Sequence, residues 1–232
     1  MKTNVIFLIV LAFSQLFQAQ DSIRIENSKF KIFAFTPVKN NISKVNGMTA
    51  GLGLSNRAIF KDAENNQAIV NGLNLDLNPL GFIIFCFYDP DRDFTTKESV
   101  LLNGLNLSIA GHLRDVSQNG LNISAYNYAY QMNGVSFSLI GNSNHTFKGV
   151  SVAFMGNSAN KGEGLAIASF NGFDNFKGVQ IGIVNRSDNM KGLQIGLFNK
   201  NETGKNFQIG LWNKNEKRSF PIINWNFKKL KS

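Results

Sequence analysis

Apolar residues alternate with small or amide-bearing residues in a short phrase that recurs eight times between Gly104 and Asn213. The last three copies read G-V-Q-I-G-I-V-N, G-L-Q-I-G-L-F-N and N-F-Q-I-G-L-W-N. When the opening residue is numbered 0, positions 1, 3 and 5 are apolar almost without exception, and positions 2 and 4 are small or polar. Strict alternation is typical of a β-strand with one apolar and one polar face. The pattern therefore predicts a stack of similar strands.

The copies begin 14 to 16 residues apart, and position 7 is usually Asn or Gly. Because both residue types suit turns, each strand is expected to end there. The opening residues are Gly104, Gly120, Gly134, Gly149, Gly164, Gly178, Gly192 and Asn206.

Divergent copies flank the regular series, and none of the chain after residue 20 has the pattern of a long amphipathic helix. We therefore predict an all-β class with about 12 to 13 short strands in a single domain over residues 21–232, most regular over 104–213. The divergent segments are Lys29–Phe35, Gly47–Leu54, Val70–Asp76, Gly81–Phe87 and Phe220–Phe227.

Two ways of closing such strands fit the pattern. Linkers of six residues, such as Arg186–Lys191, suit hairpin loops and favour an antiparallel up-and-down meander that closes into a barrel. The alternative is a β-solenoid, in which Asn185, Asn199 and Asn213 would stack as a ladder. The meander is the main prediction because the linkers are short for a solenoid coil.

The first twenty residues have the parts of a secretory signal, namely Lys2, an apolar run over residues 5–13 and a small residue at Ala19. Residues 1–20 are therefore expected to direct export. Cys86 is the only cysteine, which excludes an internal disulfide and a thiolate-rich metal site.

The net charge of +9 comes largely from lysines between the strands. They are spread over the repeats and do not form the basic stripe with interleaved aromatic residues that nucleic-acid-binding modules have. We therefore expect no nucleic-acid partner.

Candidate chemistry is sparse. His112 and His145 lie 33 residues apart without a neighbouring nucleophile or metal-ligand spacing. The acidic run from Asp89 to Asp93 lacks the glycine and the distal glutamate of an EF-hand loop. The sequence therefore predicts no catalytic residue, no cofactor and no metal site, and the chain is expected not to be an enzyme.

Two sets of strand residues are candidates for a binding role. In a water-soluble barrel the apolar positions would point inward, as core or as the lining of a ligand cavity. This set comprises Phe137, Phe154, Ile167, Ile181, Ile195 and Ile209. On the other face Gln180, Gln194 and Gln208 would form a row of amides that could bond sugars or one another.

The serial phrase over residues 178–213, followed by K-R-S-F-P-I-I-N-W from Lys217, resembles a family of bacterial surface repeat-containing proteins with G-x-Q-x-G-x-x-N units. Members carry a signal peptide or a lipid anchor, so the resemblance implies an exported β-repeat protein at the cell envelope, and it implies no reaction. The chain also resembles, more loosely, flower-like repeat barrels. The resemblance is strong over about the last fifty residues and fades towards the N-terminus.

These observations predict a non-enzymatic, exported protein of the bacterial periplasm, outer membrane or cell surface that acts as a structural or binding scaffold. One alternative is a carrier that holds an apolar small molecule or lipid inside the barrel. A weaker alternative is a small outer-membrane β-barrel. The partner stays open among lipid, envelope polysaccharide and another envelope protein.

Overall fold

The computed structural model describes residues 30–36, 42–52, 68–77, 100–111 and 116–227, nearly all of them in β-strands. Several predicted features lie outside these residues. They are the secretory signal over residues 1–20, the strand over 81–87 with Cys86, the acidic run over 89–93, and His112.

The strands form one nine-stranded sheet whose spatial order is the order along the chain. Every neighbouring pair is parallel, except that β9 runs antiparallel to β8. The strands are β1 (Phe30–Thr36), β2 (Lys44–Gly51), β3 (Ala68–Asp76), β4 (Val100–Ala110), β5 (Val116–Ala153), β6 (Gly156–Ile167), β7 (Phe170–Thr203), β8 (Asn206–Lys214) and β9 (Ser219–Asn226).

The chain winds as a β-solenoid, so the main prediction of an antiparallel barrel is wrong and its stated alternative describes the fold. Equivalent residues of successive coils pair in parallel, as in Gly72 with Gly104 and Gly104 with Gly120. The six-residue linkers form the second side of each coil instead of hairpin loops. They can do so because their backbone stays extended, and for this reason β5 and β7 are 38 and 34 residues long.

This extended path also corrects the predicted strand number and strand ends. The described residues contain nine strands, several of which pass through more than one coil, instead of 12 to 13 short ones. Asn185 and Asn199 at position 7 were predicted to end strands but lie inside β7, whereas β8 does end one residue after Asn213. Among the described residues other than glycine, only Ile222 has a positive φ.

The chain turns its corner at position 0. Gly178 there has a φ of 139°, and a Cβ atom on it would overlap with the carbonyl oxygen of Gly164 in the preceding coil. The glycines at position 0 therefore serve both conformation and close stacking. They form a continuous column through Gly47, Gly72, Gly104, Gly120, Gly134, Gly149, Gly164, Gly178 and Gly192.

The interior changes in character along the solenoid axis. Near the N-terminal end, a cluster of aliphatic side chains that includes Val45, Val70 and Leu102 fills the coils. A second cluster, which includes Phe147, Phe176 and Met190, lies in the middle. In the described chain after Met190, every buried residue is an asparagine or a glutamine.

Candidate binding surface

A ladder of buried asparagines runs along one side of the interior. Asn185 accepts a hydrogen bond from Asn171 Nδ2 at 2.9 Å and donates one to Asn199 Oδ1 at 2.8 Å. Its Nδ2 also donates to the backbone oxygen of Ile195 at 2.9 Å. The same arrangement recurs at each step, so the amides bind each coil to the next. The ladder comprises Asn142, Asn157, Asn171, Asn185, Asn199 and Asn213.

The three predicted amide-row glutamines lie side by side in the interior, each fully buried. Gln194 Nε2 donates to Gln180 Oε1 at 2.7 Å, and Gln208 Nε2 donates to Gln194 Oε1 at 2.8 Å. The ends of the row bond to Ser187 and Asn201. The row was predicted to bond either sugars or its own members. In the structure the amides bond one another, and they are enclosed within the coils, where an external sugar has no access.

The amide interior forces the apolar residues outward. A Cβ atom added to Gly196 at position 4 would lie 2.6 Å from Asn185 Nδ2, so this inward position has no space for a larger side chain. Because side chains alternate along a strand, inward positions 2 and 4 place positions 1, 3 and 5 outside. The outward side chains of these three columns are here called the apolar wall.

The prediction that the apolar positions line an enclosed interior is wrong. Phe137 is 45% exposed, Phe154 75% and Ile209 39%. Ile167, Ile181 and Ile195 are half-buried on the same outer side. The reason is that hydrogen-bonded amides occupy the space inside the coil. The apolar residues alternate with these amides along each strand and therefore point outward.

The apolar wall continues over both ends of the regular repeats. Phe33 and Phe35 of β1 pair with Met48 and Ala50 of β2, and they extend the wall at the N-terminal end. Trp225 and Ile223 of β9 pair with Phe207 and Ile209, and they extend it at the other end. Twelve strand crossings at roughly 4.8 Å, each about 13 Å wide, give a surface of about 750 Å². Monomeric proteins rarely expose an apolar patch of this size.

Cations form two columns along the solenoid axis in the C-terminal half. One column is the residue just before each opening residue, and the other is the residue just after each ladder asparagine. We call these columns the first and the second rim. They carry seven cations and one acid, namely Lys148, Glu163, Lys177, Lys191 and Lys205 on the first rim and Arg186, Lys200 and Lys214 on the second.

The outer side opposite the apolar wall is here called the charged wall. It includes the second rim, because Arg186 and Asp188 both point outward on either side of the buried Ser187, and Lys200 Nζ lies 3.6 Å from Glu202 Oε1. Between residues 148 and 217 the charged wall carries four acids and five cations, namely Asp174, Asp188, Glu202, Glu216, Lys161, Arg186, Lys200, Lys214 and Lys217. Charges of both signs therefore lie on this side.

Perturbed pKa values mark no catalytic group in the described chain. Burial raises the pKa of Tyr126, against a smaller lowering by its hydrogen bond to Ser143. The hydrogen bond and charge of Lys177, whose Nζ lies 2.8 Å from Glu163 Oε1, lower the pKa of Glu163. Both partners of that pair are solvated and belong to the first rim.

Two further features bear on ligands. In the described coils, the interior void beside Gln118 and Met132 has a volume of about 10 Å³, room for roughly one water molecule. An open cleft of about 290 Å³ lies on β9, where the Arg218 guanidinium sits 4.3 Å from the centre of the Trp225 ring. Over the described ranges, His, Cys, Asp and Glu side chains form no group that could hold a metal ion.

Comparison with known proteins gives no relative, since no family model, no curated protein and no solved structure matches the chain. The described residues also contain no helix with the length and apolarity needed to cross a membrane.

Sequence reasoning missed the rims, although their signal is visible in the sequence. Lys177, Lys191 and Lys205 all directly precede an opening residue, and Arg186, Lys200 and Lys214 all directly follow a ladder asparagine. These residues were interpreted as turn residues, and turns of an antiparallel barrel would not place them on one side of the molecule. The solenoid aligns each set because equivalent positions stack along the axis.

Proposed function

We propose that this protein is a non-enzymatic, exported scaffold of the bacterial envelope that attaches to another surface through its apolar wall. The observation that carries the proposal is the outward direction of positions 1, 3 and 5 over successive coils. An apolar surface of this extent is typical of an interaction site, because leaving it in water forgoes the hydrophobic stabilisation that contact would provide.

The filled interior favours an external attachment over an internal ligand. The amides at positions 2 and 7 bond to neighbouring coils, and the void beside Met132 is about the size of one water. The carrier hypothesis needs an interior volume far larger than this void. The secretory signal and the resemblance to surface repeat proteins support export.

Fractionation of cells that express the full chain or a wall variant tests this proposal. Leu139→Ser, Phe154→Ser and Leu211→Ser change side chains that are 71%, 75% and 64% exposed, so the triple variant should still fold. We expect the unmodified protein in the envelope fraction and the variant largely in the soluble fraction. Circular dichroism of both proteins establishes that the coils are intact.

The matched control changes three uncharged residues on the charged wall, Asn175→Ser, Asn189→Ser and Thr203→Ser. It should fractionate like the unmodified protein. Identical fractionation of the wall variant and the unmodified protein would contradict attachment through the apolar wall. A stoichiometric lipid that co-purifies with the soluble wall variant would instead support the carrier.

A further inference from the structure

The first rim continues into the N-terminal half as a column of amides. The residue before each corner glycine is an asparagine there and a charged residue in the C-terminal half. Asn71 Nδ2 donates to Asn46 Oδ1 at 2.7 Å, and Asn103 Nδ2 donates to Asn71 Oδ1 at 2.8 Å. The whole column lies at the corner where the apolar wall begins. It comprises Asn46, Asn71, Asn103, Asn119 and Asn133, followed by Lys148, Glu163, Lys177, Lys191 and Lys205.

The opposite long edge of the apolar wall carries no charge in the described coils. Position 6 forms this edge, and its exposed side chains include Phe170, Phe198 and Trp212. An occupant of the wall therefore meets apolar side chains over its whole breadth, and it meets charge along one edge of the C-terminal half only.

The area of the apolar wall suits a second copy of the chain. About 750 Å² per copy is close to the roughly 800 Å² per partner that a standard protein interface buries. Two copies can meet face to face with the twofold axis along the solenoids or along the strands. An axis along the solenoids would place each first rim against the apolar edge of the other copy, where lysines would lose water without gaining a partner. An axis along the strands makes the solenoids antiparallel, and the two first rims then face each other.

The antiparallel pair that covers the whole wall also separates the cations. The wall has twelve strand crossings, so complete overlap places the twofold axis between the sixth and the seventh, which begin at Gly134 and Gly149. At this same point the first rim changes from amides to charged residues. Each charged residue of the rim then faces an asparagine of the other copy, as Lys191 faces Asn71. The amide oxygens can accept from the lysines, because a carbonyl oxygen has a second lone pair beyond its ladder bond.

We propose that the apolar wall pairs with the wall of a second copy in this antiparallel, twofold arrangement. Leu139 and Phe154, which are 71% and 75% exposed in the single chain, then lie beside the axis, where Leu139 of each copy packs against Phe154 of the other. This inference rests on the proposed function, in that it names the surface to which the wall attaches. The pair has a charged wall on each outer side. Because two such walls hold a surface more firmly than one, a variant that separates the pair should also leave the envelope fraction.

Analytical ultracentrifugation of the full chain over a range of concentrations measures the pairing. We expect an equilibrium between monomer and dimer. The Leu139→Ser, Phe154→Ser and Leu211→Ser variant should raise the dissociation constant at least about a hundredfold, because apolar residues at the centre of an interface dominate its affinity. A folded chain that stays monomeric at its highest soluble concentration would overturn the proposal.

Two substitutions of Asn71 test the antiparallel register. Asn71→Lys and Asn71→Glu interrupt the same amide ladder within the chain. In the proposed pair, the first places a cation opposite Lys191 and the second places an anion there. Since this contact occurs twice in the pair, the dissociation constant of Asn71→Lys should exceed that of Asn71→Glu by at least about fivefold.

The matched control makes the same two changes at Ser158, an exposed residue of the charged wall whose hydroxyl bonds to Ser143. Ser158→Lys and Ser158→Glu should have dissociation constants within about twofold of each other, because this side faces away from the second copy and salt screens the remaining distance. An equally large ratio at Ser158 and Asn71 would show that net charge alone sets the affinity. Equal dissociation constants for the two Asn71 variants would exclude the register. Either result would overturn the proposal.

Oligomeric state and cell fractionation together separate this inference from the proposed function. A monomer whose wall variant leaves the envelope fraction would overturn the second copy and leave attachment through the wall standing, with a lipid surface or another protein as the occupant. A dimer that separates in the wall variant, while both proteins fractionate alike, would support the pair and contradict the attachment to the envelope. A monomer whose wall variant fractionates normally would overturn both.

Discussion

The two ends of the solenoid bury different chemistry. The coils around β2 to β4 enclose aliphatic side chains such as Val45, Val70 and Leu102, and they also bury polar ones such as Asn106. The coils after Met190 enclose only asparagine and glutamine among the described residues. The first end is stabilised partly by burial from inside, whereas the second depends on hydrogen bonds and stacked backbone.

This difference shows which side chains can contribute hydrophobic stabilisation to the C-terminal coils. Their apolar residues, such as Leu197 and Leu211, are all outside. Water exclusion from these side chains requires something that covers the wall.

We expect the largest loss of stability from a substitution in the glycine column, which runs through both ends of the solenoid. Gly178→Ala places a Cβ atom against the carbonyl oxygen of Gly164 and requires a φ of 139° from alanine. We expect the free energy of unfolding to fall by at least about 3 kcal/mol, or the chain to fail to fold. Gly172→Ala in the neighbouring coil meets no atom within 4 Å and should change it by less than about 0.5 kcal/mol. Chemical denaturation measures both values, and equal effects would contradict the stacking role of the column.

A smaller effect follows from opening the amide interior. Asn185→Ala leaves the backbone oxygen of Ile195 and the amide of Asn171 without their partner. Because buried polar groups without partners are costly, we expect a loss of about 2 to 3 kcal/mol in the free energy of unfolding. Asn175→Ala, an exposed amide on the charged wall, should cost less than about 0.5 kcal/mol. A ladder asparagine that proves as replaceable as the exposed one would show that the amides merely fill space.

The next prediction compares the loss of stability on truncating an inner residue of the N-terminal end with that on truncating an outer residue of the C-terminal end. Val70→Ala removes buried methyl groups and should cost about 2 kcal/mol in water. Leu211→Ala removes a larger side chain that is 64% exposed and should cost less than about 0.5 kcal/mol. Urea denaturation of the monomer, at low protein concentration, gives the two values. A larger cost for Leu211 than for Val70 would mean that the wall is covered by the chain itself.

The smallest effect concerns the ion pair on the first rim. Lys177 lowers the pKa of Glu163, so the pair stabilises the fold above the usual pKa of a glutamate and ceases to do so as the pH falls through the lowered value. Since both side chains are solvated, Lys177→Met should shift the melting temperature at neutral pH by roughly 1 °C or less. In the Glu163→Gln background that shift should vanish. A persistent shift in this background would assign the effect of Lys177 to something other than the pair.

Much of the architecture could be predicted from local pattern, and the errors have a common origin. The all-β class, the repeat and the alternation of positions 1 to 5 come from the sequence because strand geometry is local. The hairpin interpretation of residues 186–191 was wrong because six residues were taken to be too few for the second side of a coil. In the fold Ser187 and Met190 of this segment are buried and the backbone is extended.

The sequence by itself determined that two faces alternate along each strand, that equivalent residues recur every 14 to 16 positions, and that the charge lies between the phrases. Only the tertiary structure decided which face is enclosed. That choice depends on whether Asn185 and Gln194 find partners in adjacent coils and on the lack of space at Gly196. These are contacts between residues a full coil apart, so the alternation within one strand cannot specify them. The same stacking aligns the scattered lysines into rims.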